Sequence, residues 1–344
     1  MRMNEQVNDW VHNIAPYQPG KTIDGMIKLA SNENAYGPSP MVIKGLRDAI
    51  PNIGRYPYKD NEVKEAIAAY AKVKPENIIL GNGSDENIEL VIKAYRGSVA
   101  SSYPSFVSYP IYAQMHNRQF LYSSLNPDFT FNRENFIKDT WNANILFLCS
   151  PNNPTGLTID ISDIEDIAQT GKIVVVDEAY FEFNGTTAKN LVLQYPNVII
   201  MRTMAKAFAL AGLRIGYAIA HEEVAQTLSK VKGPFNVNIL AQEAALLALK
   251  DIEYMKRCVS RIIQDRRSIE TRLARKFKVY PSQANFLLAD VSPYTSQQFF
   301  EKMLENKIVV RPQPKFHGFE GNYARITIGT TEENYQLAEA IDRI

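Results

Sequence analysis

Residues 173–180 read Ile-Val-Val-Val-Asp-Glu-Ala-Tyr, a run of β-branched residues that leads into two carboxylates. Such a run is typical of a strand that is buried on both faces of a sheet. Helical patterns lie between several similar apolar runs, for instance at residues 86–95 and 161–169. The predicted strands are residues 78–80, 145–149, 173–176, 198–201 and 215–220. Strands that alternate with helices predict an α/β fold, in which helices flank a mostly parallel sheet.

The last third of the chain has a different pattern. A long helical stretch, at about residues 238–276, comes before shorter alternating segments. Strands are predicted there at 285–290, 308–311 and 323–328, and helices at 295–305 and 332–343. This arrangement is typical of a smaller α+β domain.

The beginning of the chain contains two further helices. Ser39 and Pro40 suit the N-cap and the first position of a helix that reaches residue 50, and a second helix is predicted over residues 60–71. We therefore expect three regions along the chain. They are an N-terminal arm (1–38) that joins the small domain, a large domain (39–233) and a small domain (234–344).

The composition excludes several classes of protein. The 344 residues include 38 Lys and Arg against 37 Asp and Glu, so the net charge of +1 gives no sign of a nucleic-acid partner. The two cysteines, Cys149 and Cys258, suit a reducing compartment. No apolar run reaches the roughly 18 residues that would span a bilayer, and the first ten residues lack the apolar stretch that is typical of a signal peptide. We expect a cytoplasmic protein with no membrane partner.

Two turns carry candidate binding residues. The stretch Gly81-Asn-Gly83-Ser84-Asp85-Glu86 follows a strand and opens a helix, where backbone N–H groups and the helix dipole attract phosphate. We expect the Asp85 carboxylate to cap its own helix, because facing a phosphate would repel it. The spacing differs from that of a dinucleotide-binding loop. The second turn, Ser150-Pro-Asn-Asn153-Pro-Thr-Gly156, follows the strand at 145–149. Each turn on its own also fits an ordinary loop.

Two ionisable side chains follow the next strands. Asp177 ends a buried strand, where a carboxylate needs a partner such as a protonated ring nitrogen, or else caps the next helix. Lys206 lies among Ala205, Ala207 and Phe208, an apolar setting that would lower its pKa and make the amine nucleophilic. A solvated surface lysine is the alternative. Arg214 is a further candidate for binding an anion.

In order and spacing, Asn153, Asp177, Tyr180, Lys206 and Arg214 resemble the pyridoxal-phosphate-dependent aminotransferases of fold type I. The resemblance covers nearly the whole chain and is closest to the histidinol-phosphate subgroup. The segments that carry this closer likeness are Pro16-Tyr17-Gln-Pro-Gly20, Ser31-Asn32-Glu-Asn-Ala-Tyr-Gly-Pro38, Arg55-Tyr56-Pro57, Gly81–Glu86 and Ala324-Arg325-Ile-Thr-Ile-Gly-Thr330.

The resemblance implies a role for each residue around pyridoxal phosphate. Lys206 would be the Schiff-base lysine and the proton shuttle, and Asp177 would keep the ring nitrogen protonated. Asn153 and Tyr180 would bond the phenolate oxygen, and Phe106 would stack on the ring. The residues implied for the phosphate are Gly83, Ser84, Asp85, Thr203, Arg214 and, from a neighbouring subunit, Tyr56. A homodimer is therefore implied.

The resemblance also implies a substrate site. Arg325 would bind the substrate's polar head group, and Arg311, with Tyr17, would bind a distal anion. Asn32 would line the same site beside Asn153. The implied reaction converts imidazole-acetol phosphate and glutamate to histidinol phosphate and 2-oxoglutarate. A decarboxylase of phosphorylated amino acids, an aromatic aminotransferase and a non-catalytic binding protein remain alternatives.

One position departs from the family pattern. A hydroxyl residue usually stands immediately before the lysine, where this chain has Ala205. We expect one phosphate donor to be missing, with Thr203 and Arg214 taking a larger share and the cofactor bound more weakly. Metal chemistry is not expected, because His12, His116, His221 and His317 have no ligand-spaced partners.

Overall fold

The structure is a computed structural model that describes residues 6–14 and 20–344. Within these residues, seven strands form the larger sheet, in the spatial order β2-β8-β7-β6-β5-β3-β4. Their bounds are β2 Ile78–Gly81, β3 Val99–Tyr103, β4 Phe120–Ser124, β5 Ile145–Cys149, β6 Ile173–Asp177, β7 Val198–Thr203 and β8 Gly216–Ala220. The predicted strands are confirmed to within two residues at each end, and β3 and β4 were not predicted.

The larger sheet is mostly parallel, as predicted. Strands β3 to β7 pair in parallel, and β8 runs antiparallel to both of its neighbours, β7 and β2. In the register of the ladder, Cys149 lies opposite Asp177, and Asp177 lies opposite Met201. The carboxyl ends of β5, β6 and β7 therefore meet at one edge of the sheet, where open α/β sheets bind ligands.

Helices cover both faces of this sheet. Val174 and Val176 pack on the side of α6, whereas Val175 packs on the side of α3 and α4. Burial of both faces explains why the strand is continuously apolar in sequence. The helices are α1 Pro40–Ala49, α2 Asp60–Ala71, α3 Gly83–Ala94, α4 Ser108–Met115, α5 Arg133–Asp139, α6 Ile161–Ala168, α7 Phe181–Asn184, α8 Leu191–Gln194, α9 Glu222–Val231, α10 Ile239–Lys250, α11 Ile252–Leu273, α12 Ser296–Glu305 and α13 Thr331–Arg343.

Most helix predictions agree with the structure. Helix α1 begins as expected, with the Ser39 hydroxyl accepting a hydrogen bond from the Val42 N–H at 3.3 Å. The long stretch predicted over 238–276 is divided at Asp251 into α10 and α11. Helix α3 begins at Gly83, three residues before the predicted start, so the glycine turn itself forms the first turn of the helix.

A smaller mixed sheet has the order β1-β11-β12-β10-β9. It combines β1 (Ile27–Leu29) from near the N-terminus with β9 (Lys278–Tyr280), β10 (Phe286–Asp290), β11 (Ile308–Pro312) and β12 (Tyr323–Thr327). Strand β1 pairs in parallel with β11, which attaches the N-terminal part of the chain to this sheet. The exact domain boundaries stay a prediction. Across the described residues, no helix is both long enough and apolar enough to cross a bilayer.

Candidate active site

A cavity of about 410 Å³ opens at the carboxyl edge of the larger sheet and is closed on its other side by the smaller sheet. It brings together most of the residues that the sequence singled out. These are Asn32, Ser84, Asp85, Phe106, Asn153, Asp177, Tyr180, Thr203, Lys206, Arg214, Arg311 and Arg325. Gly83 precedes Ser84 at the rim, Tyr56 does not line the cavity of this chain, and Tyr17 lies outside the described residues.

Lys206 follows β7 and extends its amine into the cavity. Its Nζ donates a hydrogen bond to the Ser31 carbonyl oxygen at 3.3 Å. Burial, and next the positive charge of Arg325, lower the pKa of Lys206 to about 8. About a tenth of the amine is therefore uncharged at pH 7, far more than for an ordinary lysine, and the uncharged form is the nucleophile.

Asp177 is 2% exposed at the end of β6. Its Oδ2 accepts a hydrogen bond from the Tyr109 hydroxyl at 2.7 Å, and its Oδ1 accepts one from the Ala179 N–H at 3.1 Å. Burial raises the pKa of Asp177 to about 6, which the two donors oppose. Helix α7 begins only at Phe181, so Asp177 forms a local turn rather than the helix cap considered as its alternative.

Tyr180 is oriented by a residue from the small-sheet side of the cavity. Its hydroxyl oxygen accepts a hydrogen bond from Asn32 Nδ2 at 2.8 Å. Asn32 has a φ of 55°, in the left-handed region, and two contacts with Thr327 hold it there at 3.0 and 3.1 Å. Because Asn32 occupies the acceptor side of the hydroxyl, the Tyr180 proton points elsewhere.

Arg325 connects Asn153 to the smaller sheet. Its Nη1 donates to Asn153 Oδ1 at 2.7 Å, and its Nη2 donates to the Ala30 carbonyl oxygen at 2.7 Å. Residues Arg311 and Arg325 lie directly opposite each other in the β11–β12 ladder. Directly opposed residues project to the same face of a sheet, so two guanidinium groups stand side by side at the cavity wall. Like charges held together in this way favour the binding of an anion.

The start of α3 forms a close cradle with Arg214. Gly83 has a φ of +78°, and a Cβ there would lie 2.6 Å from Arg214 Nη2. A Cβ at Gly216 would lie 2.5 Å from the backbone nitrogen of Ser84. Only glycine therefore allows the guanidinium and strand β8 to approach the N–H groups of this helix end.

The expectation for Asp85 is wrong. Its carboxylate does not cap α3, but accepts a hydrogen bond from Arg214 Nη2 at 2.7 Å. The backbone N–H of Asn82 is bonded by Glu86 Oε2 at 2.5 Å instead. The partner of Asp85 lies far away in sequence, which local helix rules do not consider. Asp85 fixes the position of the guanidinium, while Ser84 and the helix N–H groups remain directed at the cradle.

Two further predicted residues complete the lining. The Thr203 hydroxyl accepts a hydrogen bond from the Ala205 N–H at 3.1 Å, and the Ala205 side chain faces the cavity where the family usually has a hydroxyl. Phe106 also lines the cavity, with its ring at 5.5 Å and nearly perpendicular to that of Tyr109. Among the described residues no cluster of His, Cys, Asp and Glu is arranged to hold a metal ion.

Tyr56 lies on the outer surface. Its side chain is 75% exposed and stacks on Phe235 with the ring centroids 4.6 Å apart. Its predicted role requires a second subunit. Tyr109 is a site residue that the sequence reasoning missed. Its position three residues after Phe106, as the second residue of α4, was the available signal.

Known proteins resemble this chain over nearly its whole length. The family description "Aminotransferase class I and II" matches residues 24–341. A histidinol-phosphate aminotransferase of Methanocaldococcus jannaschii is 34% identical, over 99% of this chain and 98% of its own length. A solved structure of the histidinol-phosphate aminotransferase from Clostridium acetobutylicum has a TM-score of 0.86 at 27% identity, covering 92% of this chain and 98% of its own.

A second solved structure shows the same fold with its cofactor. It is the histidinol-phosphate aminotransferase of Sinorhizobium meliloti in complex with pyridoxal-5'-phosphate, with a TM-score of 0.89 at 23% identity, covering 98% of each chain. The family match spans both sheets and the cavity between them. The chain therefore belongs to the class I and II aminotransferases, the enzymes that transfer amino groups with pyridoxal phosphate.

Proposed function

We propose that this chain is a histidinol-phosphate aminotransferase of histidine biosynthesis, which converts imidazole-acetol phosphate and glutamate to histidinol phosphate and 2-oxoglutarate. The observation that carries the proposal is the composition of one cavity. It combines a reactive amine, Lys206, with two adjacent guanidinium groups, Arg311 and Arg325. The names of the full-length relatives support the same substrate.

The side chains of the cavity fit pyridoxal phosphate. The cradle of α3 and Arg214, which a Cβ at Gly83 would fill, suits its phosphate. Lys206 suits its aldehyde carbon, and the buried carboxylate of Asp177 suits its ring nitrogen. When bound, the cofactor supplies a ring that withdraws electrons from the bond to be broken at the substrate's α-carbon.

The chain's own groups then have separate tasks. With the cofactor bound, Lys206 Nζ would take a proton from the α-carbon of the substrate and deliver it to the C4′ carbon of the cofactor, which its lowered pKa permits near neutral pH. Asp177 would hold a proton on the ring nitrogen by its negative charge. Tyr180, whose acceptor side is occupied by Asn32, would donate its proton to the phenolic oxygen of the cofactor, and Asn153, whose Oδ1 is occupied by Arg325, would offer its Nδ2 to the same atom.

The two arginines explain how one cavity accepts both substrates. Glutamate has two carboxylates, whereas histidinol phosphate has no α-carboxylate and carries a distal phosphate. A planar guanidinium bonds either anion in a bidentate manner. Arg325 would bind the end nearer Lys206, and Arg311 the distal anion of either substrate.

Single-turnover half-reactions test the substrate. The enzyme loaded with pyridoxal phosphate is mixed separately with histidinol phosphate, histidinol, phenylalanine and threonine phosphate, and the change in cofactor absorbance is followed. We expect histidinol phosphate to react with the highest kcat/KM. Faster reaction of phenylalanine would indicate an aromatic aminotransferase, and release of carbon dioxide from threonine phosphate would indicate a decarboxylase.

Arg311→Gln sharpens this test. Loss of a charge-assisted contact should lower kcat/KM for histidinol phosphate by roughly 10- to 100-fold and leave the slow reaction of histidinol unchanged. The matched control is Arg275→Gln, which removes a guanidinium from the exposed turn just after α11. Equal losses of kcat/KM for histidinol phosphate and for histidinol would contradict the assignment of Arg311.

A homodimer is part of the proposal. The support is an apolar surface, the Tyr56 patch, formed by Ile50, Ile53, Tyr56, Tyr58 and Phe235, each more than half exposed in the single chain. A second subunit that covers the patch would carry Tyr56 toward the neighbouring phosphate cradle.

Mixing Tyr56→Ala chains with Lys206→Ala chains tests whether Tyr56 acts in the site of the other subunit. It should restore activity to one site of each mixed dimer. If mixed dimers form and activity is not restored, the sharing of Tyr56 between subunits is contradicted.

A cytoplasmic location and the absence of a nucleic-acid partner stay predictions.

A further inference from the structure

Tyr109, in α4, is held rigidly beneath the cavity. Its side chain is fully buried and stacks on Phe147 with the centroids 4.6 Å apart and the planes 12° apart. Phe106 meets it edge to face at 5.5 Å. Both contacts fix the ring, so the direction of the hydroxyl is set by packing rather than by a flexible stem.

The hydroxyl of Tyr109 is directed at Asp177. It donates to Oδ2 at 2.7 Å, while the Ala179 N–H donates to Oδ1. Together the two donors fix the plane of the carboxylate. Burial raises the pKa of Tyr109 well above its ordinary value, so the hydroxyl keeps its proton and always donates. An ammonium or guanidinium here would cancel the charge of Asp177, whereas a neutral donor leaves it for another cation.

The surroundings of Asp177 otherwise favour its protonated form. Burial raises its pKa most strongly, and the charges of Asp85 and Glu178 raise it further. The hydrogen bonds from Tyr109 and Ala179 lower it. The titratable groups that face Asp177 from the elements around it are Tyr109 on α4, Cys149 on β5, Asp85 on α3, and Glu178 and Tyr180 after β6. Tyr109 is the residue in this set whose side chain opposes the protonation of Asp177.

We propose that Tyr109 is a positioning residue that keeps Asp177 ionised and aims its carboxylate at the ring nitrogen of pyridoxal phosphate. This inference rests on the proposed role of Asp177, and it adds a residue that acts through Asp177 without touching the cofactor itself. Tyr109→Phe removes one oxygen atom and retains the aromatic stacking on Phe147.

The test measures cofactor binding rather than turnover. Dissociation constants are determined between pH 5 and 9 for pyridoxal phosphate and for its analogue with carbon in place of the ring nitrogen. In the wild type, affinity for pyridoxal phosphate should fall as the pH drops through about 6, because Asp177 then takes up a proton. In Tyr109→Phe this midpoint should rise by about one pH unit, so affinity should fall about twofold at pH 7 and about tenfold at pH 5.

The analogue separates the possible failures. Its affinity should be the same in the wild type and in Tyr109→Phe, because it offers no ring nitrogen to Asp177. If the wild type binds both compounds alike at every pH, the proposed role of Asp177 is wrong. If the wild type distinguishes them and Tyr109→Phe leaves the midpoint unchanged, or weakens both compounds equally, only the role of Tyr109 is overturned.

Two further variants complete the design. Tyr95→Phe, at the end of α3 and outside the cavity lining, removes a partly buried hydroxyl elsewhere and should leave both dissociation constants unchanged. Tyr109→His retains a donor, so its midpoint should lie at or below that of the wild type. A histidine variant with a raised midpoint overturns the proposal even if Tyr109→Phe does not fold.

Discussion

Two adjacent carboxylates at the end of β6, Asp177 and Glu178, are both buried but lie in different environments. Glu178 and Arg202 form an ion pair at 2.9 Å, and both side chains are 2% exposed. Thr187 and the Ala188 N–H complete the hydrogen bonds of Glu178. Its neighbour Asp177 faces the cavity and is bonded by the neutral donors of Tyr109 and Ala179.

The difference separates charges that hold the fold from charges that react. Burial raises the pKa of Glu178, whereas the charge of Arg202 and the hydrogen bonds to Glu178 oppose that rise and favour its ionised form. A buried carboxylate with neutral partners stays close to its point of titration, as does the amine of Lys206. The ion pair of Glu178 and Arg202 should therefore control the stability of the fold. Asp177 and Lys206 should control the chemistry of the cavity.

Glu178→Ala should give the largest change in stability. It leaves Arg202 buried without its carboxylate, which costs about 3–5 kcal/mol of unfolding free energy. Denaturant unfolding of the apo-protein measures this. The control, Glu134→Ala, removes a largely exposed carboxylate 3.9 Å from Arg133 and should change the free energy by less than about 1 kcal/mol. Equal effects at the two sites would contradict the comparison.

Asp177→Asn should have the opposite effect to Glu178→Ala, because it should lower kcat without lowering the stability of the apo-protein. It keeps the shape and removes the charge that stabilises a protonated ring nitrogen, so kcat should fall by about 10²–10³-fold. The unfolding free energy of the apo-protein should stay constant or rise, because a desolvated charge is removed. Steady-state kinetics and denaturant unfolding on the same preparation measure both quantities. A loss of stability like that of Glu178→Ala would show that Asp177 is structural.

The pH dependence of cofactor capture tests Lys206. Its pKa is lowered to about 8, and the amine attacks an aldehyde only when it is uncharged. The rate at which apo-protein captures pyridoxal phosphate should therefore rise with pH and level off above about 8. Stopped-flow absorbance between pH 6 and 10 measures it. Arg325→Gln should move the midpoint upward, since that charge lowers the pKa. A rate that still rises steeply at pH 10 would indicate an ordinary surface lysine.

Ala205→Ser should give the smallest effect, and in the favourable direction. A hydroxyl at this cavity-lining position restores the phosphate donor that the family usually has, so the dissociation constant for pyridoxal phosphate should fall about tenfold. Ala207→Ser, at a buried position outside the lining, serves as the control. Tight binding in the wild type that Ala205→Ser leaves unchanged would count against the missing donor.

The sequence predicts this architecture well where a single physical signal dominates. The apolar runs of β5, β6 and β7 and the N-cap at Ser39 are local patterns, and the structure contains them. Strand β3 was missed because it reads Val-Ala-Ser-Ser-Tyr, which lacks a continuous apolar run although four of its five residues are buried. The antiparallel direction of β8 depends on the path of the chain, which local patterns do not encode.

In the candidate site too, residues with a local sequence signal were predictable and contacts between distant residues were not. Lys206 and Asp177 were recognisable because a charged residue in an apolar setting is conspicuous in sequence. Tyr109 was not, because an aromatic residue in a helix fits an ordinary core and its bond to Asp177 joins residues 68 positions apart. The partner of Asp85 was missed for the same reason, since Arg214 lies 129 positions away. Contacts between distant residues have no local signature.

Borohydride reduction tests the central claim most directly. Reduction of the enzyme with bound pyridoxal phosphate fixes the cofactor to the nitrogen that carries it, and mass spectrometry of the proteolysed chain locates that residue. We expect a single modified position, Lys206, and no modification of Lys206→Ala treated in the same way. Modification of another lysine, or of none while the protein holds its cofactor, would contradict it.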